Sequence, residues 1–188
     1  MAMKETVSTR ILWNNAGKAG AVLGLISAAV MFLNQLASGM SSTGLVLLAS
    51  SVLWLVKFAG CIWLMRFFMQ RLADRYDGVT GSTTFKYGMM IAFLSALIYS
   101  AVLLANMLFI SADLTQQQFD QVMQAYAGIL DANSISMMEK LENVYPQIAF
   151  FSQLVYCFMY GTILSLILSR FIPRNDPFAG YQAGPDEQ

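Results

Sequence analysis

Four long apolar runs, separated by shorter polar segments, dominate the pattern of this chain. Each run is long enough to cross a hydrocarbon core of about 30 Å, which takes about 20 mostly apolar residues in a helix. A soluble fold of this length has too small an interior to bury all four. The pattern therefore predicts an all-α membrane protein built as a four-transmembrane-helix bundle. The predicted spans are residues 16–36, 43–69, 87–112 and 148–171.

The segment between the third and fourth runs, residues 113–146, is polar but carries apolar side chains at helical spacing. One stripe begins at Phe119, and a second, shorter stripe precedes Pro146. This spacing predicts two amphipathic helices. Pro146 is then expected at the mouth of the fourth span, because the first turn of a helix tolerates proline. The two helices either cover the outer end of the bundle or present a methionine-rich surface to a partner.

Charge placement predicts the topology, although the net charge of the chain is zero. Basic residues cluster at both ends of the bundle sequence and around the 70–86 connection, whereas residues 113–146 carry five carboxylates and one lysine. Basic loops mark the cytoplasmic side of a membrane. Both termini are therefore predicted to be cytoplasmic, and residues 113–146 to form an extracytoplasmic insert. Residues 1–177 are predicted to be a single transmembrane domain, followed by a flexible tail at 178–188.

The composition argues against catalysis. The chain is 57% hydrophobic and has no histidine, so it lacks the commonest general base and the commonest metal ligand. Neither a glycine-rich phosphate loop nor a span with a carboxylate is present. Cys61 and Cys157 lie inside apolar runs, where the expected role is that of small core residues. We predict a protein without enzymatic activity, catalytic residues, metal or cofactor, and without a nucleic-acid partner.

Small residues on the first run predict close helix packing. Gly20 and Gly24 lie one turn apart, and Ala16 extends the same ridge. Such ridges let the backbones of membrane helices approach each other. Because basic residues precede it, the run also resembles a secretory signal peptide. Its length and its ridge favour a retained span instead, with Ala16, Gly20 and Gly24 as candidate helix-packing residues.

Lys57 is the charge nearest the middle of a predicted span. An ionised lysine at that depth costs about 2.5–3.5 kcal/mol, so it is expected to face the bundle interior or a wet cavity, to pair with acceptors, or to be neutral. Counting along the spans places aromatic and amide side chains at similar depth or on one face of the fourth span. The resulting candidate polar site is Lys57, Tyr99, Gln153, Tyr156 and Tyr160. The cluster either fixes helix packing or binds an anion or a partner, the ammonium being held by hydroxyls or aromatic faces.

Three arginines recur near one face of the helix that leaves the second span. Arg66, Arg71 and Arg75 are candidate contacts for anionic lipid headgroups. Ordinary anchoring of the cytoplasmic end explains their positions equally well.

Two stretches carry a resemblance to a known family. The third span opens with Thr83-Thr-Phe-Lys-Tyr-Gly88, and the fourth closes with Gly161-x-x-x-Ser165-Leu-Ile-Leu-Ser169-Arg170. In these features the chain resembles the domain of unknown function 4199 family, small four-span proteins of Gram-negative bacteria. The resemblance covers most of residues 8–177 and implies a place in the bacterial inner membrane. It defines no catalytic residue, and it implies a helper role beside a family-2 glycosyltransferase of the polyprenyl-phosphate type.

The sequence thus favours a non-catalytic membrane accessory subunit that binds and positions another membrane protein. A glycosyltransferase or a second copy of the chain is a candidate partner, and membrane lipids surround the protein in either case. The alternative is a small transporter or lipid-binding protein that uses Lys57 as an anion site.

Overall fold

The computed structural model describes residues 8–38, 43–76, 79–126 and 131–172, and all regular secondary structure in them is helical. A short π-helical segment, Asn106–Ile110, continues the third helix. The α-helices are α1 (Thr9–Ser38), α2 (Thr43–Arg75), α3 (Gly81–Ala105), α4 (Ala112–Tyr126) and α5 (Ala132–Phe171). Four of the helical stretches are long and apolar enough to cross a membrane. The predicted all-α architecture and the number of apolar helices are therefore confirmed.

The helices extend beyond the predicted spans. The first span was predicted as residues 16–36, for example, whereas α1 is Thr9–Ser38. Backbone hydrogen bonding continues into the polar flanks, since a helix does not have to end where the hydrocarbon ends. The predicted tail at 178–188 lies outside the described residues.

The prediction that a helix starts at Pro146 is wrong, because α5 runs through this proline without interruption. The helix begins earlier, where the Asp131 carboxylate accepts a hydrogen bond of 2.8 Å from the backbone N–H of Ser134. Hydrogen bonds from Ser134 also hold the pKa of Asp131 below its ordinary value. Proline removes one donor from the helix, and the neighbouring turns of α5 continue on both sides. The second predicted amphipathic helix is therefore the first part of α5.

The amphipathic helix α4 packs loosely on the beginning of α5. None of its residues is buried. Its clearest contact is an edge-to-face pair of Phe119 with Tyr145, whose ring centroids are 5.4 Å apart. The side of the membrane on which α4 lies stays a prediction.

Helix α3 is the centre of the bundle and packs closely against α1 and α5. On the α1 side, a Cβ built on Gly20 would lie 2.8 Å from Leu94 Cβ, and one built on Gly24 would lie 2.9 Å from Ile98 Cβ. Ala16 is completely buried. Gly20 and Gly24 of the candidate packing ridge are thus in contact with α3, where small side chains permit the van der Waals packing that holds membrane helices together.

Glycines also form the contact between α3 and α5. A Cβ on Gly161 would lie 2.5 Å from Ala92 Cβ, and one on Gly88 would collide with the Ser165 side chain. The Ser165 hydroxyl donates a hydrogen bond of 2.9 Å to the carbonyl of Phe85. By contrast, α2 packs mainly along α1 and makes few contacts with α5. The bundle is therefore tight around α3 and open between α2 and α5.

The α3–α5 contact predicts a selective effect of adding one methyl group. We expect Gly161→Ala to lower the free energy of unfolding by about 1–3 kcal/mol, because overpacking a tight contact forces the helices apart. Gly60→Ala on α2 is the matched control, since its Cβ would meet nothing within 4 Å. Thermal unfolding in detergent micelles, followed by circular dichroism, compares the two variants. Equal stability of both would contradict this packing.

Candidate functional site

Lys57 lies in the middle of α2 and faces the central helix. Its Nζ is 4.4 Å from the centroid of the Tyr99 ring on α3. A cation over an aromatic face gains about 2 kcal/mol or more when water is excluded. That gain is comparable with the cost of about 2.5–3.5 kcal/mol for a lysine at the centre of a spanning helix. The aromatic face therefore offsets much of the penalty without neutralising the charge.

Two small cavities meet at this lysine. The inner cavity, of about 100 Å³, lies between α1, α2, α3 and α5. The second is a cleft of about 150 Å³ between α2 and α5, which we call the α2–α5 cleft. Trp54 and Tyr156 line it and are 62% and 69% exposed, so the cleft opens on the outside of the bundle. Both cavities are lined by Lys57, Cys61, Cys157 and Tyr160.

The structure brings the five residues of the predicted polar site into one region. Tyr99 contacts the ammonium through its ring, and Tyr160 lines both cavities. Gln153 lines the α2–α5 cleft and donates a hydrogen bond of 2.9 Å to Cys157 Sγ. Tyr156 also lines this cleft. The function of the cluster stays a hypothesis.

One polar atom beside the lysine has no partner among the described residues. The hydroxyl oxygen of Tyr160 is buried and makes no hydrogen bond there. Leaving a buried polar group unsatisfied costs about 1–3 kcal/mol. The ring of Tyr160 contacts the ring of Phe58, and the two ring centroids are 5.9 Å apart. The site therefore pairs a cation with an unused hydroxyl, a combination suited to an acceptor-rich group.

Four residues that line the α2–α5 cleft were not in the predicted polar site: Trp54, Phe58, Cys61 and Cys157. Cys61 and Cys157 are free thiols that line both cavities, and Phe58 stacks on Trp54 with ring centroids 5.5 Å apart. Each cysteine lies one helical turn after a predicted residue, Cys61 after Lys57 and Cys157 after Gln153. This spacing of four residues was the available signal in the sequence.

The candidate headgroup arginines are not equivalent. Arg71 and Arg75 line a cavity of about 250 Å³ at the end of α2, together with Lys18 of α1. Arg66 is exposed and does not line this cavity. The structure thus separates Arg66 from the other two, and the binding of lipid by any of them stays a prediction.

The described residues contain no group of three or more His, Cys, Asp or Glu side chains placed to hold a metal ion. What they offer instead is one ammonium, aromatic faces, hydroxyls and an amide inside an apolar bundle. Fold and site together define a multi-pass helical membrane protein with a cationic group inside its spans.

The chain matches the family described as "Protein of unknown function (DUF4199)" over residues 18–174, and it belongs to that family. This confirms the resemblance found in the sequence. No curated protein and no solved structure matches the chain.

A double-mutant cycle tests the contact between Lys57 and Tyr99. We expect Lys57→Met to leave the unfolding free energy unchanged or higher, because an apolar side chain of similar length avoids desolvation of the charge. Tyr99→Leu is expected to destabilise the wild type more than the Lys57→Met protein. The coupling should be about 0.5–2 kcal/mol, measured by unfolding in mixed micelles.

Tyr99→Phe is the control for this cycle, since a phenyl ring keeps the aromatic face and loses only the hydroxyl. It should retain most of the coupling to Lys57. Strict additivity of the two original changes would refute the contact.

Proposed function

We propose that this protein is a non-catalytic accessory subunit that binds a second membrane protein at the α2–α5 cleft. The observation that carries the proposal is Lys57, a cation inside the spans that has an aromatic face beside it and an opening toward the lipid. A partner helix docked in this cleft would place its side chains close to the ammonium.

The chemistry of the partner follows from the missing counter-charge. None of the predicted spans of this chain contains Asp or Glu, so a second copy has no carboxylate at that depth to offer. Lipid phosphates lie about 15 Å from the bilayer centre, beyond the reach of Lys57. A carboxylate on a spanning helix of a different protein reaches it directly. Intramembrane charges of opposite sign pair with one another, which favours a heteromeric complex over a homo-oligomer.

The packing of α1 excludes one surface at which this partner could dock. Gly20 and Gly24 lie against α3 and Ala16 is buried, so this ridge is not available as a docking surface. Helix α2, in contrast, exposes bulky side chains, with Trp54 62% and Trp63 66% exposed. Lipid tails solvate such residues as well as a protein does, so the polar groups of the cleft have to supply the specificity.

A family-2 glycosyltransferase acting on polyprenyl phosphate is the partner that the family resemblance suggests. We propose it as the first candidate to test. Its role in the complex would require a carboxylate within a transmembrane helix, at a depth matching Lys57. This criterion applies equally to any other membrane protein that is recovered with the chain.

A transporter or lipid-binding protein with its anion site at Lys57 is the second candidate. The inner cavity favours it, because a space of about 100 Å³ adjoins the ammonium between all four spanning helices. That space suits a small anion rather than a lipid headgroup. Reconstituted protein would then show anion flux that Lys57→Met abolishes.

Purification from native membranes in mild detergent tests the accessory role. We expect a stoichiometric membrane protein with an intramembrane Asp or Glu to be retained by the wild type. Lys57→Met should reduce its recovery by about tenfold or more, because a buried carboxylate loses its partner. Quantitative mass spectrometry measures the ratio. Lys140→Met, the same chemical change on an exposed lysine outside the predicted spans, should leave recovery unchanged.

A charge exchange makes the test specific. Lys57→Asp combined with a lysine in place of the partner's carboxylate should restore recovery. Equal recovery with Lys57→Met, or retention of lipid alone, would overturn the accessory role.

A further inference from the structure

A second cationic site lies at the end of the bundle where α2 ends and α3 begins. Its cavity of about 250 Å³ is formed by three helices. One water molecule needs about 15 Å³, and the volume of this cavity is many times larger. The polar residues that line it are Asn15, Lys18, Arg71, Arg75, Tyr76 and Tyr87. Among the described lining residues there is no carboxylate, so the three positive charges are not neutralised within the cavity.

The floor of this cavity is buried. Ala19, Leu72 and Tyr87 are between 1% and 3% exposed, and they belong to α1, α2 and α3. Lys18, Arg71 and Arg75, in contrast, are exposed. The buried residues therefore form the base of the cavity, and the three exposed cationic residues line it as well. Such a shape holds a compact anion better than an open basic surface does.

The depth of the cavity indicates the source of the anion. Along α2, Arg71 lies about 21 Å from Lys57 at 1.5 Å per residue, whereas the hydrocarbon half-thickness is about 15 Å. With Lys57 near the centre of the membrane, Arg71 is at the level of the headgroups. Guanidinium groups bind phosphate in a bidentate manner, and a lysine adds a point charge.

We propose that this cavity binds the phosphate group of an anionic membrane lipid. The lipid's acyl chains would lie along the apolar sides of α1 and α2, and its phosphate would contact Lys18, Arg71 and Arg75. This site is separate from Lys57, and it does not depend on the accessory role. Arg66 has the same charge on the same helix but lies outside the cavity, so it provides a matched control.

Lipid titration of the purified full chain, followed by native mass spectrometry, tests the proposal. Phosphatidylglycerol should bind about tenfold or more tightly than diacylglycerol, which has similar chains and no phosphate. Arg71→Gln and Lys18→Gln should each weaken phosphatidylglycerol by about tenfold, as expected for loss of one charge-assisted contact. Arg66→Gln should change it by less than about twofold. All three side chains are exposed, so the variants are expected to fold, which circular dichroism checks.

Three results would overturn the proposal. Equal binding of diacylglycerol would show that acyl chains alone are recognised. Equal loss with Arg66→Gln and Arg71→Gln would show general attraction to a basic surface. Displacement of the lipid by millimolar inorganic phosphate would make a free phosphate the ligand of the cavity.

Discussion

The close approach of α1 and α5 to the central helix α3 is the constraint on which the rest of the structure depends. In a membrane there is no hydrophobic driving force between helices, so tight contacts arise where small residues allow backbones to approach. Gly20, Gly24 and Gly161 lie at these contacts. Among the residues that the structure describes, no comparable contact fixes α2 to α5. The packing therefore leaves the α2–α5 cleft open beside Lys57. Because α5 is packed more tightly than α2, one side of the polar cluster around Lys57 is exposed.

Much of the fold was predictable because hydrocarbon thickness imposes a length on every span. The four apolar runs therefore indicated four helices, and the glycine spacing on the first run indicated its packing ridge. The error at Pro146 has a local cause. Proline is typical of the first turn of a helix, but α5 begins earlier in the chain, at the Asp131 cap. The packing roles of Gly88 and Gly161 could not be predicted, because each contact depends on which helix lies opposite the glycine.

The candidate site was predictable in depth but not in detail. A constant rise per residue allowed Lys57, Tyr99 and Tyr160 to be placed at one level. The direction in which a spanning helix faces is harder to infer, because lipid and bundle interior are equally apolar and the usual amphipathic pattern is weak. For this reason the predicted site did not include Trp54, Phe58, Cys61 and Cys157. Because the direction in which α2 faces is hard to infer, the sequence analysis placed Arg66 with Arg71 and Arg75. Only the latter two share a cavity with Lys18.

Depth also distinguishes what the two cationic sites can bind. Lys57 lies near the middle of α2, too far from the headgroups to reach lipid phosphate, so the proposed counter-ion is a carboxylate carried on a protein helix. Lys18, Arg71 and Arg75 lie about one hydrocarbon half-thickness away or more, where lipid phosphate is abundant. A lipid held at this end would contact α1 and α2, and α2 also forms one side of the α2–α5 cleft. The lipid site would then set the position of α2, and with it the width of the cleft that the partner has to enter.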